Sequence, residues 1–106
     1  MPPAAIQDLL RPSRYATGLI AAQPQLGAEL AARLDAPFTR EEMRAALARL
    51  AQGNDAEAKS ALRRLRQRVF LRAMARDLAG RASLDEVCET MSDLAEAAIE
   101  AALARA

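Results

Sequence analysis

Two adjacent carboxylate pairs, Glu41-Glu42 and Asp85-Glu86, are the residues best spaced to share a proton in general acid–base work. Each pair falls in the first turn of an expected helix, where acidic side chains favour the dipole and the free amides without any catalytic role. A line of acids at Glu89, Asp93, Glu96 and Glu100 has the periodicity of one helix face. Such a line could hold two metal ions, but carboxylate di-metal bundles add a Glu-x-x-His from other helices, and this chain has no His. A solvated or salt-bridged face is the better reading. Cys88 lacks an imidazole to activate it and falls on an apolar stripe, so the sequence predicts a buried, inert thiol. The remaining signal is the run RRLRQRVFLRAMAR, Arg63 to Arg76. Arginine there could bind phosphate, lie on a membrane, or pair with carboxylates in a protein interface.

Composition weighs against the first two. Basic residues number 15 against 14 acidic ones, a net charge of +1, and aromatics make up 3% of the 106 residues. A surface built for nucleic acid is normally far more basic and supplies aromatic rings for stacking. A membrane-surface helix separates its apolar and basic faces, whereas this run mixes them. No apolar stretch approaches the roughly 20 residues needed to cross a bilayer. The start, MPPAAIQDLL, lacks the pattern of a signal peptide, and one Cys allows no internal disulfide. A cytoplasmic location is expected, with neither nucleic acid nor membrane as partner. Glycines stand singly at Gly18, Gly27, Gly53 and Gly80, so there is no phosphate-cradling loop. An interface, within the chain or with a partner, is the reading that survives for the arginines.

The elements that must position these residues are helices. Ala and Leu dominate, and the β-branched and aromatic residues that favour strands are scarce. A first segment, 4–10, stops before Arg11-Pro12. Ser13 caps a helix to about Ala22, and Pro24 opens another to about Leu34. Thr39 with Glu42 reads as a capping box for a helix to about Leu50. Asn54 or Asp55 caps the longest helix, which Gly80 closes, and Ser83 with Glu86 reads as a second capping box for a helix running almost to Ala106. The predicted fold is all-α: a helical bundle with short helices over 1–52 and a long antiparallel αα-hairpin over 53–106.

The last helix carries an apolar stripe at Leu84, Val87, Cys88, Met91, Leu94, Ala95 and Ala98, expected to be its buried face. Arg64, Arg68 and Arg72 on the preceding helix are spaced to meet the acids from Glu89 to Glu100. That preceding helix breaks its own pattern. At about 100° per residue, Arg66 falls among Leu62, Val69, Phe70 and Ala73 on the apolar side. Leu71 points about 180° from Leu62, where a two-layer hairpin offers only water. A helix so built is packed on more than one side, and one neighbour is expected to lie outside these residues.

Leu62, Arg63, Arg66, Arg68, Leu71, Arg72, Arg76, Asp77, Leu78 and Gly80 make a leucine-arginine start, an arginine cluster, an arginine-aspartate-leucine and a glycine. Leu84, Glu86, Leu94, Ala95 and Glu96 follow. In this arrangement residues 61–103 resemble the N-terminal helical region of the bacterial bifunctional glutamine synthetase adenylyltransferase/adenylyl-removing enzymes, and residues 13–30 resemble it more loosely. The resemblance implies a parent with two nucleotidyltransferase domains. One removes AMP from a tyrosine of glutamine synthetase by phosphorolysis; the other attaches it from ATP. Both are implied to use Mg²⁺, under control of the PII protein and glutamine. The family's glycine-rich, Ser-Asp-x-Asp metal signature is not among these residues. No catalytic, cofactor-binding or metal residue carries over, and no cofactor is expected in this chain. What is implied is a non-catalytic helical region packed on the parent's nucleotidyltransferase domain, through Arg66, Phe70, Leu71, Arg72, Arg76 and Asp77. Glutamine synthetase and PII would be partners through the parent. The rival is a free-standing helical interaction module.

Overall fold

A computed structural model describes the backbone of residues 1–106 and the side chains of all but Pro3 and Ala51. Its order is α1 (Pro3–Leu10), α2 (Arg14–Ala22), α3 (Pro24–Arg33), α4 (Arg40–Leu47), a 3₁₀ turn (Ala48–Ala51), α5 (Asp55–Leu78) and α6 (Leu84–Arg105). No strand occurs among the described residues. The fold is all-α and ends in the long hairpin of α5 and α6.

Local chemistry sets the boundaries. Ser13 Oγ accepts the Ala16 amide at 3.1 Å, and Asn54 Oδ1 accepts that of Glu57 at 2.8 Å. Thr39 and Glu42 form the full reciprocal box: Thr39 Oγ1 accepts from Glu42 N at 3.1 Å, and Glu42 Oε1 accepts from Thr39 N at 3.4 Å. Gly80 has φ +71°, in the left-handed region open to glycine. There the Arg81 amide donates to Arg76 O at 2.8 Å and the Gly80 amide to Asp77 O at 3.0 Å. These two bonds satisfy carbonyls that the helix end would leave bare, and they turn the chain toward α6. Gly27 lets α3 approach α2, since an added Cβ would sit 3.0 Å from Ile20 Cγ2.

Two cores lie on different sides of α5. One gathers Ile6, Leu10, Ala16, Leu26, Leu30 and Leu34 from α1–α3 and the following turn around Leu71 and Ala75. The other joins Phe38, Met43, Leu47 and Leu50 to Leu65 and Val69 of α5 and to Leu94 and Ala97 of α6. Leu71 is 1% exposed. The outward leucine thus does mark a helix packed on two sides, but the neighbours that cover it are α1 and α3, within the chain.

α6 is rolled relative to the sequence expectation. Its buried residues are Thr90, Leu94 and Ala97. Of the expected stripe only Leu94 is buried; Leu84, Cys88 and Ala95 are exposed. The cause is α4, which takes the flank of α6 beside its acids. Arg40 pairs with Asp93 at 3.1 Å and with Glu96, and Arg44 reaches both Glu100 oxygens at 3.1 and 3.2 Å. Cys88 is therefore not a core thiol.

Candidate interaction site

The arginines of α5 divide into two sets. Arg68, Arg72 and Arg76 point into the chain. Arg68 Nε donates to Glu29 Oε1 at 2.8 Å. Arg72 is 1% exposed. Its Nη1 lies 3.2 Å from both oxygens of Glu42, its Nη2 is 3.7 Å from Glu29, and its guanidinium sits 4.2 Å from the centre of the Phe38 ring. The π-face supplies a further partner that tolerates burial. Nε of Arg72 is buried without a hydrogen bond. The expected pairing of Arg64, Arg68 and Arg72 with the acids of α6 does not occur; α3 and α4 supply the partners of Arg68 and Arg72, and α4 supplies the partners of the α6 acids.

Arg76 ties three segments together. Its Nε and Nη2 meet the two oxygens of Glu86 at 2.9 and 2.8 Å, its Nη1 donates to Leu34 O at 2.8 Å, and Nη2 also reaches Arg81 O at 3.1 Å. This two-pronged bond explains a missing one. Ser83 caps α6 by accepting the Glu86 amide at 3.1 Å, but the carboxylate of Glu86 goes to Arg76, so the second capping box is only half formed. Two parallel charge-assisted bonds outcompete one bond to a backbone amide.

Electrostatics follow the geometry. Burial pulls the Arg72 pKa below the ordinary guanidinium value, while Glu42 and Glu29 oppose it. For Glu42 burial acts to raise the pKa, but Arg72, the Thr39 amide and Arg33 together bring it below the ordinary carboxylate value. The Arg76 hydrogen bond lowers the Glu86 pKa, and the same bond raises that of Arg76. None of these carboxylates is poised to take a proton near neutrality. Among the described residues no group of three or more Asp, Glu or Cys side chains could hold a metal ion. No helix is long and apolar enough to cross a membrane.

The second set faces outward. Arg66 is exposed. Its helical position among Leu62, Phe70 and Ala73 is as expected, but although Ala73 is buried and Leu62 packs on the second core, Arg66 itself reaches solvent, so it is not a buried arginine. Phe70 is 40% exposed and Asp77 is exposed. Of the six residues expected at an interface, Leu71, Arg72 and Arg76 are thus occupied within the chain, and Arg66, Phe70 and Asp77 remain on the surface. They border the outer groove between α5 and α6. Toward Gly80 it opens into a hollow of about 510 Å³ lined by Tyr15, Phe70, Met74, Asp77, Val87 and Met91. Toward the far end it opens into one of about 260 Å³ lined in part by Ala58, Leu62, Ala98 and Ala102. Sequence reasoning missed Glu29 and Phe38 as partners of the arginines. Their signal is weak, because both come from elements distant in sequence. Glu42 was legible only as a cap.

Comparison with known proteins gives a consistent result. The family model for glutamate-ammonia ligase adenylyltransferase matches residues 4–106. A bifunctional glutamine synthetase adenylyltransferase/adenylyl-removing enzyme of Burkholderia mallei is 47% identical over 97 residues, 87% of this chain and 10% of the relative. The enzymes of that name from Nitrosomonas europaea and Chromobacterium violaceum are each 42% identical, over 92% and 95% of this chain and 11% of their own length. The chain thus spans about a tenth of the curated relatives it matches. No solved structure matches it.

Proposed function

The chain belongs to the glutamate-ammonia ligase adenylyltransferase family, and from that premise we propose that it is a non-catalytic, N-terminal helical region of a longer adenylyltransferase/adenylyl-removing polypeptide. Its role is to support the deadenylylating site of that polypeptide or to dock glutamine synthetase on it. The observation that carries the reading is the commitment of the chain's charged groups to one another. Arg68, Arg72, Arg76, Arg40 and Arg44 meet Glu29, Glu42, Glu86, Asp93, Glu96 and Glu100. Glu42, Glu86 and Glu100, held below the ordinary carboxylate pKa by arginine, are poor general bases, and an ion-paired guanidinium has little left for a phosphate.

In this reading ATP, Mg²⁺ and the chemistry of adenylyl transfer belong to the nucleotidyltransferase domains of the longer polypeptide, as does control by PII. No residue described above is assigned to hold either cofactor. The chain's own work is mechanical: a bundle braced by ion pairs between its helices offers a fixed surface to the domain beside it. The test is deletion of residues 1–106 from the longer polypeptide, with removal and attachment of AMP on glutamine synthetase assayed separately. Deadenylylation should fall; adenylylation that persists assigns the role to the deadenylylating site, and loss of both assigns it to docking glutamine synthetase. Unchanged deadenylylation overturns the reading.

A further inference from the structure

The outer groove of the α5–α6 hairpin has a spacing that its packing within this chain uses only in part, since Met91 and Leu62 touch the second core while Leu84, Cys88, Ala95, Arg66 and Phe70 are exposed. On α6, Leu84, Cys88, Met91, Ala95, Ala98 and Ala102 recur at alternating intervals of four and three. That is the seam spacing on which a second helix seats its side chains, and alanine lets the backbones approach closely. The opposite wall is Leu62, Arg66, Phe70 and Ala73 of α5, within an arc of about 80° at 100° per residue. Both hollows of the groove open on these same two faces. Yet Leu84 is 76% exposed and Ile99, on the rim, 59%.

We propose that this groove is filled by an amphipathic helix from elsewhere in the longer polypeptide, carrying a carboxylate opposite Arg66. The inference rests on the reading that the chain is part of such a polypeptide. Four observations support it. The spacing fits a helix and not a strand, whose side chains repeat every two residues. Relatives about ten times the length of the aligned region have ample chain to supply that helix. The end of α6 lies at one mouth of the groove, where Arg105 pairs with Asp55 at 2.9 Å and donates to Gly53 O at 3.0 Å. Chain continuing from there reaches the groove without crossing the molecule.

The fourth observation sets the chemistry. Arg66 falls along α5 between Leu62 of one hollow and Phe70 of the other, and among the described residues no ion pair is formed by it. Covering the groove with a purely apolar helix would strand that cation away from water and without a partner. A carboxylate on the covering helix supplies that partner. The same residue argues against a second copy of this chain as occupant. A two-fold contact centred on the groove places each Arg66 against its own copy, like charge on like.

Cys88, the chain's single cysteine, stands on the seam and reports its cover. In the longer polypeptide, maleimide labelling of Cys88, followed by peptide mapping, should be about tenfold slower than in the 106-residue chain, because the reagent needs an accessible thiolate. Arg66→Glu in the longer polypeptide should restore the fast rate, and Arg66→Lys should not. Because Arg66 is exposed, neither substitution should unfold the bundle, and circular dichroism checks this. Phe70→Asp, on the same wall, is the second variant and should also speed labelling. Equal rates in the two proteins overturn the proposal. So does slow labelling in the 106-residue chain with sedimentation as a dimer, which assigns the groove to a second copy. Protection unaffected by Arg66→Glu overturns the carboxylate. None of these readouts depends on activity, so the groove can fail while deletion still impairs deadenylylation, and the converse.

Discussion

Arg72 and Arg66 occupy the same helix, yet they meet opposite conditions. Arg72 is enclosed by Phe38 and two carboxylates, with its cost of desolvation offset by partners from α3 and α4. Arg66 is exposed on an apolar face, and among the described residues it forms no ion pair. The contrast extends to their apolar neighbours: Leu71 is sealed in a core, and Phe70 lines an open hollow. One side of α5 is therefore complete within this chain, and on the other Arg66 and Phe70 are left exposed. A cluster of like residues in sequence is not one functional unit; each member takes its role from the element it faces.

The comparison can be broken by substitution. Leu71→Ala should lower stability the most, by about 2–5 kcal/mol, because it leaves a cavity between α5 and the α1–α3 layer. Phe70→Ala, one position along, should cost less than about 1 kcal/mol in this chain, since much of its ring is already hydrated. Urea unfolding midpoints compare the two, and equal losses would erase the distinction between inner and outer sides. Arg72→Ala should cost about 2 kcal/mol, below the usual range for breaking a buried pair because Glu42 and Glu29 keep some contact with water. Arg72→Met should recover more than half of that, as the hydrophobic stem still packs on Phe38 and Glu42 keeps Arg33 at 3.1 Å. Arg76→Lys should cost about 1 kcal/mol by losing the paired fork to Glu86.

Acid sharpens the contrast further. Glu42 and Glu86 both have folded pKa values below their ordinary 4.5. Each therefore adds stability above that value and loses it as pH falls through the lower folded one. Unfolding free energy should stay flat from about pH 6 to 8, since no His is present to titrate there. It should then decline in the acid range, and Glu86→Gln should make the decline shallower. The smallest effect belongs to the outer arginines: Arg63→Ala with Arg64→Ala should leave stability within about 0.5 kcal/mol. If Arg63→Glu with Arg64→Glu instead abolished a salt-dependent retention on DNA or RNA, the outer run would be a phosphate surface and the interface reading would fall.

Much of the fold was legible because its signals are local. Ser13, Thr39, Asn54 and Ser83 each bond an amide three residues on, and Gly80 takes a backbone conformation closed to most residues, so each boundary is set within one helical turn. The groove residues Arg66 and Phe70 were visible through their position on the helix. Their exposure was not, because periodicity defines a stripe without saying what covers it.

The sequence by itself determined that the chain is helical, where its helices begin and end, that α5 packs on two sides, and which family it resembles. Tertiary structure alone decided which face of α6 turned inward and which acid each arginine received. The physical reason is competition between distant groups. α4 brings Arg40 and Arg44 against the acids of α6 and rolls that helix toward itself, exposing the stripe that periodicity had marked for burial. Glu86 had a backbone amide within reach on its own helix and a guanidinium ten residues away, and the folded chain brought the stronger partner to it.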